Sequence, residues 1–365
     1  MSVARLLEDK GIAICAGAGG VGKTTTAAAV ALGMAQRGLK VAVVTIDPAR
    51  RLANSLGLPE LGNEERRVDV DCDGELWAMM LDAKRTFDEL IEKHAPDERT
   101  RDAVLSNRIY QELSAAVAGS QEYMAMEKLY ELHQEDRYDL LVLDTPPTRN
   151  ALDFLDAPER LSRFVDSRSL SLFMRPGRLG LKMFGRGTGL LFGVLKRVTG
   201  VDLLQDLSDF FQSFGDMAEG FRERAARVND LLGDRGTTFL LVTSQRRDAI
   251  DEAVFFHRKL RERKLPFGGA IVNRMSNLAV EGEEVDEDEL FALLGDRLGR
   301  KVEGNLEDYE ALAERDRDNV ARLSRQLSGH APILVPHLED DVHDIQGLLA
   351  MNEYLFAAEA VPAER

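Results

Sequence analysis

The segment Gly17-Ala18-Gly19-Gly20-Val21-Gly22-Lys23-Thr24-Thr25 restricts this chain to a narrow set of folds. It satisfies the pattern G-x-x-x-x-G-K-[ST], in which backbone N–H groups turn inward around phosphate oxygens. Such a loop works between a buried strand and a helix whose N-terminal dipole end adds to the attraction. Both flanks comply: Gly11 to Cys15 reads as a short buried strand, and the Ala-rich run Thr26 to Arg37 as a helix. Lys23 is then placed to reach the β- and γ-phosphates of a nucleotide, and Thr24 to offer its hydroxyl to Mg²⁺.

The rest of the chain repeats that alternation. Leu39 to Ile46, Leu76 to Leu81, Tyr138 to Leu143, Thr237 to Val242, Gly269 to Val272 and Ile333 to Val335 read as strands. A helical pattern runs from about Ala83 through Glu135 with a break near Gly119, another spans about Asp248 to Arg263, and a last helix lies near the C-terminus. Strands alternating with helices predict an α/β fold, a mostly parallel sheet sandwiched by helices. The expectation is one phosphate-loop domain over residues 1–365. Residues 161–234, rich in Phe, Leu and Gly, would form a helical insertion within it.

Composition excludes several classes. A net charge of −16 argues against a surface that coats nucleic acid. Two cysteines, Cys15 and Cys72, support no disulfide framework, and a cytoplasmic location is the natural expectation. Cys15 falls within the first strand and reads as core. The N-terminus lacks a signal-peptide core, and no apolar run reaches the roughly 18 residues of a membrane span. Six histidines show no metal spacing, and the acidic run Glu281 to Glu289 reads as a solvated loop and helix start.

Three polar residues at strand ends join the phosphate loop. Asp144 closes an apolar strand, where a carboxylate can hold Mg²⁺ through water; its other reading is a turn or cap before Thr145-Pro146-Pro147. Asp47 closes the second strand, before Pro48. It can orient an attacking water or help hold the ion, or it can cap a short helix from Ala49 to Leu56. Asn273, followed by Arg274, ends a later strand; its amide offers one donor and one acceptor, which suits an adenine edge, and a turn-forming role is the alternative.

In this order, these pieces resemble the arsenite-pump and tail-anchored-protein-targeting ATPases, of the deviant-Walker branch of phosphate-loop NTPases. The matching segments are Gly17 to Thr25, Asp47-Pro48-Ala49, Asp144-Thr145-Pro146-Pro147-Thr148, Asn273-Arg274, and Pro336 through Asp341-Val342. They extend from about Gly11 to Leu355 and are specific in combination. The resemblance implies a dimeric, cytoplasmic ATPase using ATP and Mg²⁺. Gly17, Ala18, Gly19, Gly20, Val21, Gly22, Lys23, Thr24 and Thr25 would bind phosphate, with Thr24, Asp47 and Asp144 at the metal. Asp47 and Lys23 would be catalytic, and Asn273, Arg274 and Pro336 would contact adenine. The stretches Ile46 to Ala53 and Asp144 to Pro158 are most similar to bacterial members that work as paired paralogues.

Three departures sharpen the expectation. The family's signature lysine, which reaches across a dimer to the partner's phosphates, is Ala18 here, so a lysine-bearing paralogue is expected as partner, with a homodimer as the alternative. Arg50 or Arg51 could substitute in cis. No CxxC pair is present, so no zinc staple is expected. No cysteine cluster for arsenite is present either, which sets an arsenite or anion pump subunit second to a targeting factor for hydrophobic, tail-anchored membrane clients. A nucleotide-binding regulator is the remaining alternative; a positioning scaffold would need a basic amphipathic C-terminus, and Leu349 to Arg365 is acidic.

Running into the insertion, Glu159 to Gly200 carries nine basic residues and two acidic ones among many apolar side chains. Met174, Met183, Phe184 and Phe192 are the candidate client-binding residues, because flexible thioethers and rings adapt to varied partners. An ordinary helical subdomain packed on itself is the plainer reading, and a transient contact with anionic lipid is a further one.

Overall fold

A computed structural model of the chain describes residues 2–47, 49–108, 110–111, 120–145, 155–159, 217–276, 287–327, 330–338 and 341–357. In chain order the elements begin with α1 (Val3–Leu6), β1 (Ile12–Ala16), α2 (Lys23–Ala35), β2 (Lys40–Thr45), α3 (Arg51–Ser55), β3 (Arg66–Arg67) and β4 (Glu75–Met80). Next come α4 (Ala83–His94), α5 (Glu98–Leu105), α6 (Ser120–Gln134), β5 (Leu140–Asp144), α7 (Ala218–Gly233) and β6 (Thr237–Ser244). The last are α8 (Arg247–Glu262), β7 (Phe267–Met275), α9 (Glu287–Gln326), β8 (Ile333–Pro336) and α10 (Ile345–Leu355). They fall into two compact units, residues 1–80, 136–151 and 233–365 in one, 81–135 and 152–232 in the other.

The first unit is built on an eight-stranded sheet in the order β3-β4-β2-β5-β1-β6-β7-β8. Every pairing is parallel except the antiparallel β3–β4 edge. β1, β5 and β6 are buried at every residue, which is why each reads as a continuous apolar run and not as an alternation. The Ala-rich α2 lies on the sheet, with Ala27 to Leu32 wholly buried, and small side chains bring it close to β1, β2 and β5. α10 packs along α2, where the Phe356 ring occupies the space beside Gly33 and takes the Arg37 guanidinium on its face at 4.0 Å. α9 is broken at Gly295, whose φ of +73° is left-handed, and its later part buries Ala313, Val320 and Leu323.

The helix expected from Thr26 starts three residues earlier, at Lys23, because the loop glycines hand directly into its first turn. β2 stops at Thr45, two residues short of Asp47, and β7 runs on to Met275, past Asn273.

The second unit is helical in the described residues. α4 and α5 begin at Asp82 and Asp97, whose carboxylates accept from the backbone N–H groups of Arg85 and Thr100. Phe87 sits between the rings of Tyr110 and Phe221 at 5.6 and 5.8 Å. A polar network crosses this interior: the Arg224 guanidinium pairs with the buried Glu127 carboxylate, which also accepts from the Tyr123 hydroxyl at 3.0 Å. Arg224 also lies 2.9 Å from His94 Nε2; burial and that cation hold the imidazole below its usual range. The proposed insertion, 161–234, lies largely outside the described residues. Among those described, no helix is long and apolar enough to cross a membrane.

Candidate functional site

Residues 17–22 connect the end of β1 to the start of α2 at the carboxyl edge of the sheet, where parallel α/β folds bind ligands. Gly17 must be glycine for reasons of space: a Cβ there would fall on the Val242 carbonyl oxygen of β6. Gly20 and Gly22 must be glycine for conformation, with φ of +78° and +92°. Lys23 and Thr24 occupy the first turn of α2, 6% and 9% exposed, and no acidic residue there opposes the positive helix end. The Lys23 ammonium donates to the Ala18 carbonyl at 2.7 Å. Burial pulls its pKa below the usual lysine value, against the opposing charges of Asp144 and Asp47.

Asp144 is fully buried at the tip of β5, in register with Thr45 of β2 on one side and Cys15 of β1 on the other. Its Oδ2 accepts from the Thr45 hydroxyl at 2.8 Å, while Oδ1 is buried with no hydrogen-bond partner. Burial raises the carboxyl pKa from 3.8 to about 6, opposed by the hydroxyls of Thr24 and Thr45 and by the Lys23 charge. Burial likewise pushes the Cys15 thiol up, the state of a core cysteine and not of a nucleophile.

Asp47 lies on the turn after β2. Its Oδ1 accepts from Ala49 N–H at 3.0 Å, so the carboxylate does cap the turn, and its Oδ2 is 3.5 Å from the Arg51 guanidinium. Its backbone N–H donates to the Thr45 hydroxyl at 3.2 Å. Arg50, between them in chain order, adopts a left-handed φ of +55°.

Asn273 and Arg274 form one wall of a cleft of about 230 Å³ that also takes in Gly22, Thr25, Pro336, His337, Asp341 and His343. That volume is below the roughly 300–1,000 Å³ of a drug-sized ligand pocket. The Asn273 amide has two partners within the chain: Nδ2 donates to the Val21 carbonyl at 3.0 Å, and Oδ1 accepts from Arg274 N–H at 2.9 Å.

The glycine loop of residues 17–22, Asp144, Asn273, Arg274 and Pro336 thus stand along one edge of the sheet, with Asp47 on the adjoining turn. Pro48, Pro146 to Thr148, and the candidates Met174, Met183, Phe184 and Phe192 lie outside the described residues. Sequence reasoning passed over Thr45, since a β-branched residue in an apolar strand carries no signal beyond strand propensity. It could not see Gly17 against Val242, which is a contact between strands far apart in sequence.

The profile of the family described as anion-transporting ATPase matches residues 11–287. The chain is 29% identical over 240 residues to the ATPase GET3 of Malassezia globosa, covering 65% of each protein. It is 33% identical over 175 residues to a putative arsenical pump-driving ATPase of Halobacterium salinarum, covering 45% of this chain and 26% of that one. Over 298 residues it is 26% identical to the ATPase get3 of Aspergillus terreus, covering 81% and 82%. The chain therefore spans just under two-thirds of the first relative and about a quarter of the second.

Proposed function

The chain belongs to the anion-transporting ATPase family, and from that membership we propose that it hydrolyses Mg²⁺–ATP at the carboxyl edge of the sheet and uses the cycle to bind and deliver a hydrophobic membrane-protein client. The observation that carries the nucleotide part is the alignment of Lys23 and Thr24, in the first turn of α2, with the buried Asp144. The donor set fits a hydrated divalent cation: a hydroxyl at Thr24, and an Asp144 carboxylate with one oxygen committed and the other buried without a partner. Bound Mg²⁺ would neutralise charge developing on the phosphate oxygens.

The chain's own groups then have defined tasks. Lys23 exchanges the Ala18 carbonyl for the β- and γ-phosphate oxygens, and the loop amides from Gly19 to Thr25 cradle the phosphates. Asp47 orients a water and takes its proton as the water oxygen bonds to the γ-phosphorus and the bond to the bridging oxygen breaks. Asn273, Arg274 and Pro336 frame the base.

Ala18 favours a second chain at this site. A methyl cannot donate charge to a partner's phosphates, so we assign the missing cation to a lysine-bearing paralogue, with a homodimer as the weaker reading. The targeting role is preferred to an arsenite pump because Cys15 is buried inside the sheet and cannot join Cys72 in a thiolate cluster. The client groove is assigned to residues 161–234, around Met174, Met183, Phe184 and Phe192.

The test is a pull-down from cells with the hydrolysis-slowed variant Asp47→Asn in ATP, identifying every protein recovered. Recovery of a lysine-bearing paralogue together with proteins that end in a membrane segment is expected. A clean homodimer with neither would overturn the targeting reading. Phe184→Glu with Phe192→Glu should abolish client recovery and spare ATP turnover.

A further inference from the structure

The site as described gives Thr45 no task, yet its one hydroxyl joins the two aspartates on which the site depends. We propose that Thr45 is a positioning residue that fixes the Asp144 carboxylate for the Mg²⁺–nucleotide complex and ties it to the Asp47 turn. The inference rests on the ATP reading above.

Thr45 is the last residue of β2 and lies opposite Asp144 in the parallel β2–β5 register. It is 2% exposed, and the strand residues before it, Val41 to Val44, are apolar and buried. A valine would meet the same packing demand, so what threonine adds at this position is the hydroxyl. That hydroxyl is engaged both as donor and as acceptor. Its proton goes to Asp144 Oδ2 at 2.8 Å, and its oxygen accepts the Asp47 backbone N–H at 3.2 Å. A hydrogen-bond chain therefore runs in one direction, from the Asp47 turn through Thr45 to Asp144.

Two consequences follow. A carboxylate torsion is broad and two-fold, so an untethered aspartate can present either oxygen. Anchoring Oδ2 leaves Oδ1 as the oxygen held for the ligand. The same bond sets the height of the Asp47 turn relative to β5, since the Asp47 N–H has its partner on the hydroxyl that Asp144 orients. Residues that orient a metal-supporting ligand in this way typically alter metal affinity or activity by about 10- to 100-fold when removed.

The experiment titrates a fluorescent ATP analogue into the full-length chain, in Mg²⁺ and in EDTA, for wild type, Thr45→Val and Thr45→Ser. The wild type should bind more tightly in Mg²⁺. Thr45→Val should lose about ten-fold of that gain, with EDTA affinity unchanged, and Thr45→Ser should retain it. Thr45→Cys, close to serine in size but a weak donor, reads the same loss should the valine variant fail to fold. A valine or cysteine variant with a native melting curve and the full Mg²⁺ gain overturns the inference alone. A wild-type chain that does not bind the analogue overturns the ATP reading, and this inference with it.

Discussion

The Asn273 side-chain amide donates to the Val21 carbonyl at 3.0 Å, so the strand that walls the cleft also holds the glycine loop after β1. Gly22 sits under the same amide, and a Cβ there would fall on Asn273 Nδ2. Cleft and glycine loop are thus parts of one hydrogen-bonded unit. Asn273→Ala should weaken ATP binding roughly five-fold, the worth of one ordinary hydrogen bond, as read by isothermal titration. Unaltered affinity would mean the strap is incidental to the loop's shape.

The loop glycines should fail for different reasons. Gly17→Ala drives a methyl into the Val242 carbonyl and should lower the melting temperature as well as abolish nucleotide binding. Gly20→Ala meets open space and bears only the strain of a left-handed residue, of order 1 kcal/mol. Paired melting curves and nucleotide titrations would separate them, and equal loss of stability in the two variants would contradict the assignment.

Asp144 should leave a mark on the pH dependence of stability. Its folded pKa of about 6 lies above the unfolded 3.8, so between those values the folded chain holds a proton that the unfolded chain has released. That stabilising contribution is complete below about pH 3.8 and is lost as pH rises through about 6. Replacing the carboxyl by an amide removes the term. In urea unfolding, the stability of Asp144→Asn relative to wild type should therefore rise between pH 5 and pH 7.5, by on the order of 1 kcal/mol. A constant difference across that range would show that the carboxyl does not titrate there.

In the helical unit, Glu127 and Arg224 should be replaceable together and not singly. Their side chains are 3% and 13% exposed, so Glu127→Gln alone leaves a guanidinium without its counter-charge and should cost about 3–5 kcal/mol. Glu127→Leu combined with Arg224→Met should recover most of that loss in thermal melts. A double variant as unstable as the single one would point to Tyr123 or His94 as the essential partner.

How much was legible in the sequence depended on how local the cause was. The glycine loop between β1 and α2 and the buried strands could be read because a continuous apolar run and a glycine pattern are signals carried by neighbouring residues. α9 was not read beyond its acidic start, because Glu, Asp, Arg and Lys crowd its length and Gly295 interrupts it. β3 could not be read either: Arg66 and Arg67 have no strand pattern and pair only because the chain turns back onto β4. For Asp47, sequence left a cap and a catalytic carboxylate both open, and the bond from Ala49 N–H establishes the first without excluding the second. The Val21 partner of Asn273 and the Asp144 partner of Thr45 lie 252 and 99 residues away, beyond any local pattern.

The two flanks of the sheet bear on how this molecule behaves in a crowded solution. One ends in two arginines, the other in a four-residue strand closed by Pro336, which has no N–H to give. Short, charged or proline-ended edges resist the strand-to-strand addition by which open sheets template aggregates. A chain of this kind can be concentrated, and can meet another protein through its helices and strand tips, without its longest continuous array of backbone hydrogen bonds becoming a seed for fibres.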